Sequence, residues 1–192
     1  MSQPVLRVLL RVYRRLPRLG RRWAVRIIAP SFTVGSMCII QRDDGAILLV
    51  RHLYRRNWGV PGGLLSRGEN AQEAARREVW EEVRLRLELV GEPAVVVDPE
   101  PQRVDIIFRA RPAAGFDLDT IAPASAEILE ARWFPEADLP VLQYETACGF
   151  RALARAARGH QDAVFDAAFA RVEHRIDDLQ RSDRAAEPPD RA

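Results

Sequence analysis

One segment of the chain, residues 63–85, constrains the fold and the chemistry more than any other. It reads GLLSRGENAQEAARREVWEEVRL. Glu78, Glu81 and Glu82 lie three and four residues apart, so a helix would place their carboxylates on one face. Like charges at this spacing repel each other and destabilise the helix. Because a divalent cation would remove that cost, and Mg²⁺ and Mn²⁺ prefer carboxylate oxygens, the segment predicts a metal-binding helix.

A solvated surface helix is the alternative interpretation of the same charges. Glu73 and Arg77 have the i,i+4 spacing of an exposed ion pair, and runs of Arg and Glu usually form solvent-facing surfaces. That interpretation explains neither the three acids on one face nor the turn sequence Pro61-Gly62-Gly63 that comes just before the segment. The metal-binding interpretation is therefore favoured.

The segment resembles the Nudix box, the signature of the Nudix hydrolases. The flanking sequences WGVPGG at residues 58–63 and EARWF at residues 130–134 also resemble that family. One position departs from the box: Arg84 stands where the family usually has its second glycine. We expect Arg84 either to adopt a left-handed conformation or to extend the helix. The matching box positions are Gly63, Glu69, Arg77, Glu78, Val79, Glu81, Glu82 and Leu85.

Mixed strand and helix patterns indicate a layered α/β domain. The resemblance implies, more specifically, a Nudix-type α/β/α sandwich in which a mixed β-sheet lies between helices, with helical extensions at both ends of the chain. We predict four parts: an Arg-rich amphipathic helical extension at residues 1–30, a Nudix hydrolase domain at 31–158, a C-terminal helix at 159–181 and a disordered tail at 182–192.

Local signals predict the individual elements. Residues 32–40 and 47–50 favour β-structure and are separated by the turn sequence Asp43-Asp44-Gly45, which predicts a hairpin. The box helix is predicted to begin at Asn70, with Glu73 completing a capping box. Its residues predicted to face the core are Ala75, Val79 and Val83. Further strands are predicted at 95–97, 104–110 and 132–134, and further helices at 143–158 and 162–181.

The resemblance implies hydrolysis of a pyrophosphate bond in a nucleoside diphosphate linked to another group. Mg²⁺ is the expected cofactor, with Mn²⁺ as a substitute. The box positions imply that Glu78 and Glu82 bind the metal with Glu81 beside them, and that the carbonyl of Gly63 is an additional ligand. Arg77 is expected to pair with a box carboxylate and fix its rotamer rather than touch the metal.

Residues outside the metal set are also candidates. The general base is predicted to be Glu81 or the loop glutamate Glu127. The alternative for Glu127 is a solvent-exposed acid without a catalytic role. Arg51, or His52 beside it, is a candidate for binding a substrate phosphate, and Trp58 for stacking on a base. The ordinary alternatives are a surface arginine, a polar strand-end histidine and a packed tryptophan.

The substrate class is predicted less directly. Pro101 follows Leu85 by sixteen residues, a spacing that resembles ADP-ribose hydrolases, so ADP-ribose or a nucleotide sugar is favoured. Two alternatives remain open: a catalytically weak nucleotide-binding module with a Nudix fold, or a protein that acts through its Arg-rich N-terminus. A homodimer is a further expectation.

The N-terminal region differs in charge from the remainder of the chain. Residues 1–30 contain eight Arg and no acid, and because the whole chain has a net charge of +2, the remainder carries −6. Residues 5–28 have helical periodicity, and we predict that the C-terminal helices cover part of their apolar face. A contact with an anionic membrane or polyanion, or a transit peptide, remains the alternative. The two cysteines lack metal-ligand spacing and no run of about 18 apolar residues occurs, so a cytoplasmic protein, or one peripheral at a membrane, is expected.

Overall fold

The computed structural model of the protein describes residues 31–158, together with Arg14 and Pro17. None of the helices in this part of the chain is both long and apolar enough to cross a membrane. Three predictions lie outside the described residues, except at Arg14 and Pro17. They are the helices at residues 5–28 and 162–181, the docking of one helix on the other, and the disordered tail at 182–192. The elements are β1 Thr33–Ile40, β2 Ile47–His52, β3 Gly62–Leu64, α1 Ala71–Val83, β4 Leu87–Asp98, β5 Arg103–Pro112, β6 Ile128–Phe134 and α2 Tyr144–Arg158.

A mixed four-stranded sheet forms the middle layer, in the order β3-β1-β5-β4. β1 is parallel to β5 and antiparallel to β3, and β4 is antiparallel to β5. β2 and β6 form a separate antiparallel pair. The predicted α/β fold with a mixed sheet and helices is confirmed.

Alternation along β1 divides the core into two clusters. Met37 and Ile39 face the cluster that contains Phe150 of α2, whereas Cys38 and Ile40 face the cluster that contains Val79 of α1. Because successive side chains of a strand point to opposite faces, one apolar strand serves both layers. The two helices therefore cover opposite faces of the sheet.

The predicted β1–β2 hairpin is wrong. A single bridge, between Gln41 and Ile47, joins the two sides of the turn. The two strands then enter different sheets. A strand has only two hydrogen-bonding edges, and β3 and β5 occupy both edges of β1. β2 pairs with β6 instead, and Ile47, Leu48, Leu49 and Val50 are all buried.

The box helix α1 has the predicted start. Asn70 is its N-cap: its side chain accepts a hydrogen bond from the Glu73 backbone N–H at 2.9 Å, and Glu73 accepts one from the Asn70 N–H at 3.1 Å. Both bonds satisfy backbone donors that the first helical turn leaves unpaired. Ala75, Val79 and Val83 are buried, as predicted.

The end of α1 explains how the chain accommodates Arg84. Arg84 is the C-cap and adopts the left-handed conformation, with φ 55° and ψ 28°. Its guanidinium carbon lies 5.6 Å from the centroid of the Trp80 ring, on the exposed surface of the helix. The conformation is thus the one that the family glycine favours, with an added contact to Trp80.

Arg84→Gly is expected to raise the free energy of unfolding by at most about 1 kcal/mol, because a left-handed non-glycine residue costs roughly that much. Loss of the Trp80 contact and the greater entropy of unfolded glycine offset part of the gain. Chemical denaturation measures the change, and hydrolytic activity should stay constant. A clear loss of stability would show that the Trp80 contact outweighs the backbone strain.

Candidate active site

A cleft of about 580 Å³ opens between β1, β3, α1 and the N-terminal end of α2. Three box carboxylates line it, those of Glu78, Glu81 and Glu82, together with the loop acid Glu127. The carboxylates that share one face of α1 therefore meet a concave surface. The sequence-predicted metal ligands and both base candidates are thus brought to one place.

Glu82 is the most deeply buried acid of the cleft, with 7% of its surface exposed. One carboxylate oxygen lies 3.6 Å from Nε2 of His52, whereas Oε2 is buried without a hydrogen-bond partner. Burial raises the pKa of Glu82 above its usual value, and the contact with His52 opposes that shift. A buried carboxylate oxygen without a partner costs free energy, so this position is one where a cation would be stabilising.

Arg77 holds the other acids of the box in place. Its Nε and Nη2 donate to the two oxygens of Glu69 at 2.8 and 2.9 Å, and its Nη1 donates to Glu78 at 2.7 Å and to Glu81 at 3.2 Å. Nη2 also donates to the carbonyl of Leu64 at 3.2 Å. The guanidinium lowers the pKa of Glu69 to about 2. Arg77 therefore fixes a box carboxylate, as predicted from the resemblance.

Two glycines of β3 give the acids room. A Cβ built on Gly63 would overlap the carboxyl group of Glu78, with Oε2 at 2.7 Å. A Cβ built on Gly62 would collide with the backbone of β1, where Cα of Met37 lies at 2.8 Å. The paired glycines are therefore explained by close packing of β3 against α1 on one side and against β1 on the other.

The donors fit a hard divalent cation in type. No three acidic, His or Cys side chains in residues 31–158 converge at metal-ligand distances, and Glu78 accepts a hydrogen bond from Arg77. The unpartnered Oε2 of buried Glu82 is nevertheless an available oxygen ligand, and Glu78 and Glu81 line the same cleft. Carboxylate oxygens are the ligands that Mg²⁺ and Mn²⁺ prefer.

Glu127 lies on the loop before β6. Its backbone carbonyl accepts a hydrogen bond of 2.8 Å from the N–H of Leu53, at the end of β2. The side chain is exposed and lines the cleft. The loop is thus attached to the sheet at the point where its acid reaches the site.

Arg51 and Trp58 are the predicted residues that the structure does not bring to the cleft lining. Arg51 forms an ion pair with Glu130 across the β2–β6 pair, and its guanidinium lies 6.0 Å from the Trp58 ring. Trp58 packs edge to face on Phe134 with a centroid distance of 4.8 Å. Strand alternation explains the position of Arg51, because His52, the next residue of β2, faces the cleft instead.

Several polar residues of the cleft were missed by sequence reasoning. They come from segments far apart in the chain, and no short motif marks them. The clearest local signal was Arg103 and Asp105, which alternate with apolar residues and therefore face the same side of β5. The missed polar lining residues are Thr33, Tyr54, Arg55, Arg103, Gln143, Glu145 and Thr146.

Known proteins match this part of the chain. A MutT-like protein of Streptomyces ambofaciens is 31% identical over 88 residues, which are 46% of this chain and 57% of that protein. Human 8-oxo-dGDP phosphatase NUDT18 is 34% identical over 115 residues, which are 57% of this chain and 33% of that protein. The chain therefore spans less than two thirds of the length of either relative.

A solved structure and a family model cover the same region. The crystal structure of a MutT NUDIX hydrolase from Burkholderia pseudomallei superposes with a TM-score of 0.53 at 25% identity, over 65% of this chain and 99% of that chain. The model of the NUDIX domain matches residues 31–155, from just before β1 into α2. Since this match includes more than half of the chain, together with the whole cleft and its box carboxylates, the protein belongs to the Nudix family.

Proposed function

We propose that the protein hydrolyses a pyrophosphate bond in a nucleoside diphosphate linked to another group, with Mg²⁺ as cofactor and Mn²⁺ as a substitute. One observation carries the proposal: buried Glu82 has an unpartnered carboxylate oxygen in a cleft that it shares with two further box carboxylates. A cation there would offset the cost of the buried charge. The name of the human relative gives a nucleoside diphosphate as its substrate, which supports a pyrophosphate bond as the target but not the linked group.

Each box residue has a role in this proposal. Glu78, Glu82 and Glu81, with the carbonyl of Gly63, would hold the cation. The cation would neutralise phosphate oxygens and lower the pKa of the attacking water. Arg77 orients Glu78 and Glu81 through its hydrogen bonds of 2.7 and 3.2 Å.

Two acids remain candidates for taking the proton from the attacking water. Glu81 is 51% exposed in its side chain and is held by Arg77 from one side. Glu127 lines the same cleft from the loop before β6, and no hydrogen bond to its carboxylate is seen among the described residues. The loop position leaves Glu127 freer to approach a bound substrate, so it is the first of the two to test.

The substrate class is tested with a panel of ADP-ribose, nucleotide sugars, dinucleotides and nucleoside triphosphates. Phosphate-bond hydrolysis is measured with Mg²⁺, with Mn²⁺ and with EDTA. ADP-ribose or a nucleotide sugar is expected to give the highest kcat/KM, and EDTA is expected to stop the reaction. Tight binding of these compounds without turnover would favour the alternative of a nucleotide-binding module.

Glu127→Gln is expected to lower kcat about 10²-fold or more with little change in KM, because it removes a proton acceptor and not a binding contact. The values of kcat and KM and the pH–rate profile are measured for both proteins. Glu100→Gln is the matched control, since Glu100 is an exposed loop acid outside the cleft. An unchanged kcat and pH profile would assign the base to Glu81.

Arg77→Ala is expected to lower kcat/KM roughly 10–100-fold, the usual cost of losing a residue that orients metal ligands. Four carboxylate and carbonyl partners lose their donor, so the affinity for Mg²⁺ should fall as well. Titration of activity with Mg²⁺ separates the two effects. Full activity at low Mg²⁺ concentration would contradict an orienting role.

The predicted homodimer and the predicted contact of residues 5–28 with an anionic membrane or polyanion remain predictions, as do the domain boundaries. The structure contains one chain and describes only Arg14 and Pro17 of that segment. Light scattering tests the dimer, and sedimentation with anionic liposomes, for the full chain and for a deletion of residues 1–28, tests the contact.

A further inference from the structure

Arg103 of β5 lines the same cleft and pairs with Asp105 of the same strand. Nε of Arg103 lies 2.8 Å from each carboxylate oxygen of Asp105, which is only 5% exposed. Nη1 and Nη2 of Arg103 have no hydrogen-bond partner among the described residues, although Arg103 lines the cleft. A guanidinium has five N–H donors, so this anchored side chain still presents donors to a ligand.

The backbone of β1 leaves a place for this pair. A Cβ built on Gly35 would overlap Oδ1 of Asp105 and would lie 3.0 Å from Nη2 of Arg103. Gly35 pairs in register with Asp105 on the neighbouring strand. The pair therefore lies directly over a glycine, whose missing side chain leaves room for the guanidinium against β1.

The strand register gives the position of Arg103 relative to the box. β1 pairs Ser36 with Gly63 on one side and Thr33 with Arg103 on the other. The Arg103 guanidinium reaches back over Gly35, one residue along β1 from Ser36, because Nη2 lies 3.0 Å from a Cβ built there. The donors therefore lie at a level about 3.3 Å along the sheet from that of Gly63, within the length of a nucleotide-linked substrate.

The charged side chains around Arg103 already form balanced pairs. Arg103 is paired with Asp105, and Nη2 of Arg55 lies 3.3 Å from Glu145. Another phosphate here would meet two carboxylates, and both arginines of the described cleft lining are already paired. Hydroxyl oxygens would accept from the remaining N–H groups without adding charge, and a guanidinium has enough donors for two neighbouring hydroxyls.

We propose that Arg103, positioned by Asp105 and Gly35, is a specificity-determining residue that donates hydrogen bonds to an uncharged hydroxyl-bearing group, such as a sugar, joined to the nucleoside diphosphate. This inference rests on the proposed function and names the part of the substrate that Arg103 recognises. It assigns preference for a sugar-linked diphosphate over a free nucleoside diphosphate to one side chain. Asp105 acts through Arg103 and does not touch the substrate.

The test compares matched pairs of ligands on the full chain in EDTA, where no hydrolysis is expected. Calorimetry measures the Kd values of ADP-ribose and ADP, and of UDP-glucose and UDP. Arg103→Lys keeps the charge that Asp105 requires but removes the planar donors. The matched control is Arg42→Lys, because Arg42 also pairs with an aspartate two residues later and its side chain is 23% exposed, against 26% for Arg103.

The wild-type protein is expected to bind at least one sugar-linked compound more tightly than the matching diphosphate. Arg103→Lys should weaken that binding about tenfold and change the Kd of the diphosphate less than twofold, because about two hydrogen bonds are lost. Asp105→Asn should give the same pattern, and Arg42→Lys should alter none of the four values.

Three outcomes would overturn the inference: no preference for the sugar-linked ligand in the wild type, equal weakening of both ligands in Arg103→Lys, or no weakening at all. These outcomes differ from a failure of the proposed function, which would appear as absence of Mg²⁺-dependent hydrolysis across the substrate panel. The binding comparison remains decisive in that case, since it requires neither metal nor turnover.

Discussion

Glu82→Gln is expected to reduce Mg²⁺-dependent hydrolysis by roughly 100-fold or more, since an uncharged amide is a poor ligand for a hard cation. Glu78→Gln should have a similar effect. The Glu82 variant tests the metal site more directly than the Glu78 variant does. Glu82 is buried, and one of its carboxylate oxygens has no hydrogen-bond partner in the described part of the chain. The loss should appear in kcat at saturating substrate and at high Mg²⁺ concentration.

The metal-free Glu82→Gln protein should be as stable as the wild type or more stable. Burial raises the pKa of Glu82, so the folded state holds its proton to a higher pH than the unfolded state does. Ionisation of Glu82 therefore costs stability as pH rises through the folded pKa, and the cost is fully present above it. Gln removes that cost at neutral pH. Thermal denaturation in EDTA measures it.

A stabilisation by Mg²⁺ provides the complementary measurement. Mg²⁺ should raise the melting temperature of the wild type and have a smaller effect on Glu82→Gln, because a ligand of the folded state stabilises it. Glu88→Gln is the control, since Glu88 is exposed on β4. Near wild-type turnover in both Glu78→Gln and Glu82→Gln would refute the assigned metal site.

The box helix could be predicted from sequence because its determinants are local. Asn70 and Glu73 satisfy each other's backbone donors within one turn, and the three cleft acids of α1 lie within five residues of each other. Arg77 reaches Glu69 across only eight positions. Interactions of this kind depend on the geometry of one helix and the loop before it, so a pattern of residue types is sufficient to identify them.

The strand pairings could not be predicted in the same way. The turn signal at Asp43-Asp44-Gly45 is real, yet β1 pairs with β5, whose partner residues are about seventy positions away. The strands that pair with the two edges of β1 are determined by the whole sheet and not by the turn. β4 was predicted only at residues 95–97, because its first half alternates less clearly around Gly91, which has φ 67°, and the register shift between Val90 and Ala94.

The same distinction applies to the cleft. The acids of one wall come from one helix and were predicted, whereas Arg103 and Glu145 reach the cleft from β5 and α2. The position of Arg51 near the end of a strand predicts a phosphate ligand. Alternation of side chains along β2 instead directs His52 to the cleft and Arg51 towards Glu130. A shift of one residue reverses the face of a strand side chain, and sequence alone did not fix that choice.

Gly63→Ala is expected to lower kcat/KM about 10–100-fold with a change in unfolding free energy below about 1 kcal/mol. The added methyl would overlap the carboxyl group of Glu78, which is the far end of a flexible side chain and can move. Glu78 would then leave the position from which it is expected to bind the metal, while the fold tolerates the movement.

Gly62→Ala provides the contrast that identifies the cause. There the methyl meets the backbone of β1 rather than a side chain, with Cα of Met37 at 2.8 Å. Overlap of this kind forces backbone shifts that cost about 1–3 kcal/mol, so Gly62→Ala should lower the melting temperature as well as the activity.

Gly68→Ala controls for the loss of a glycine as such. Gly68 lies in the box loop with φ 83°, and a Cβ there would meet nothing within 4 Å. It should therefore cost about 1–2 kcal/mol of backbone strain and leave kcat/KM unchanged. If Gly63→Ala kept full activity at low Mg²⁺ concentration, Glu78 would not need its present position, and the metal site would depend on Glu82 and Glu81 instead.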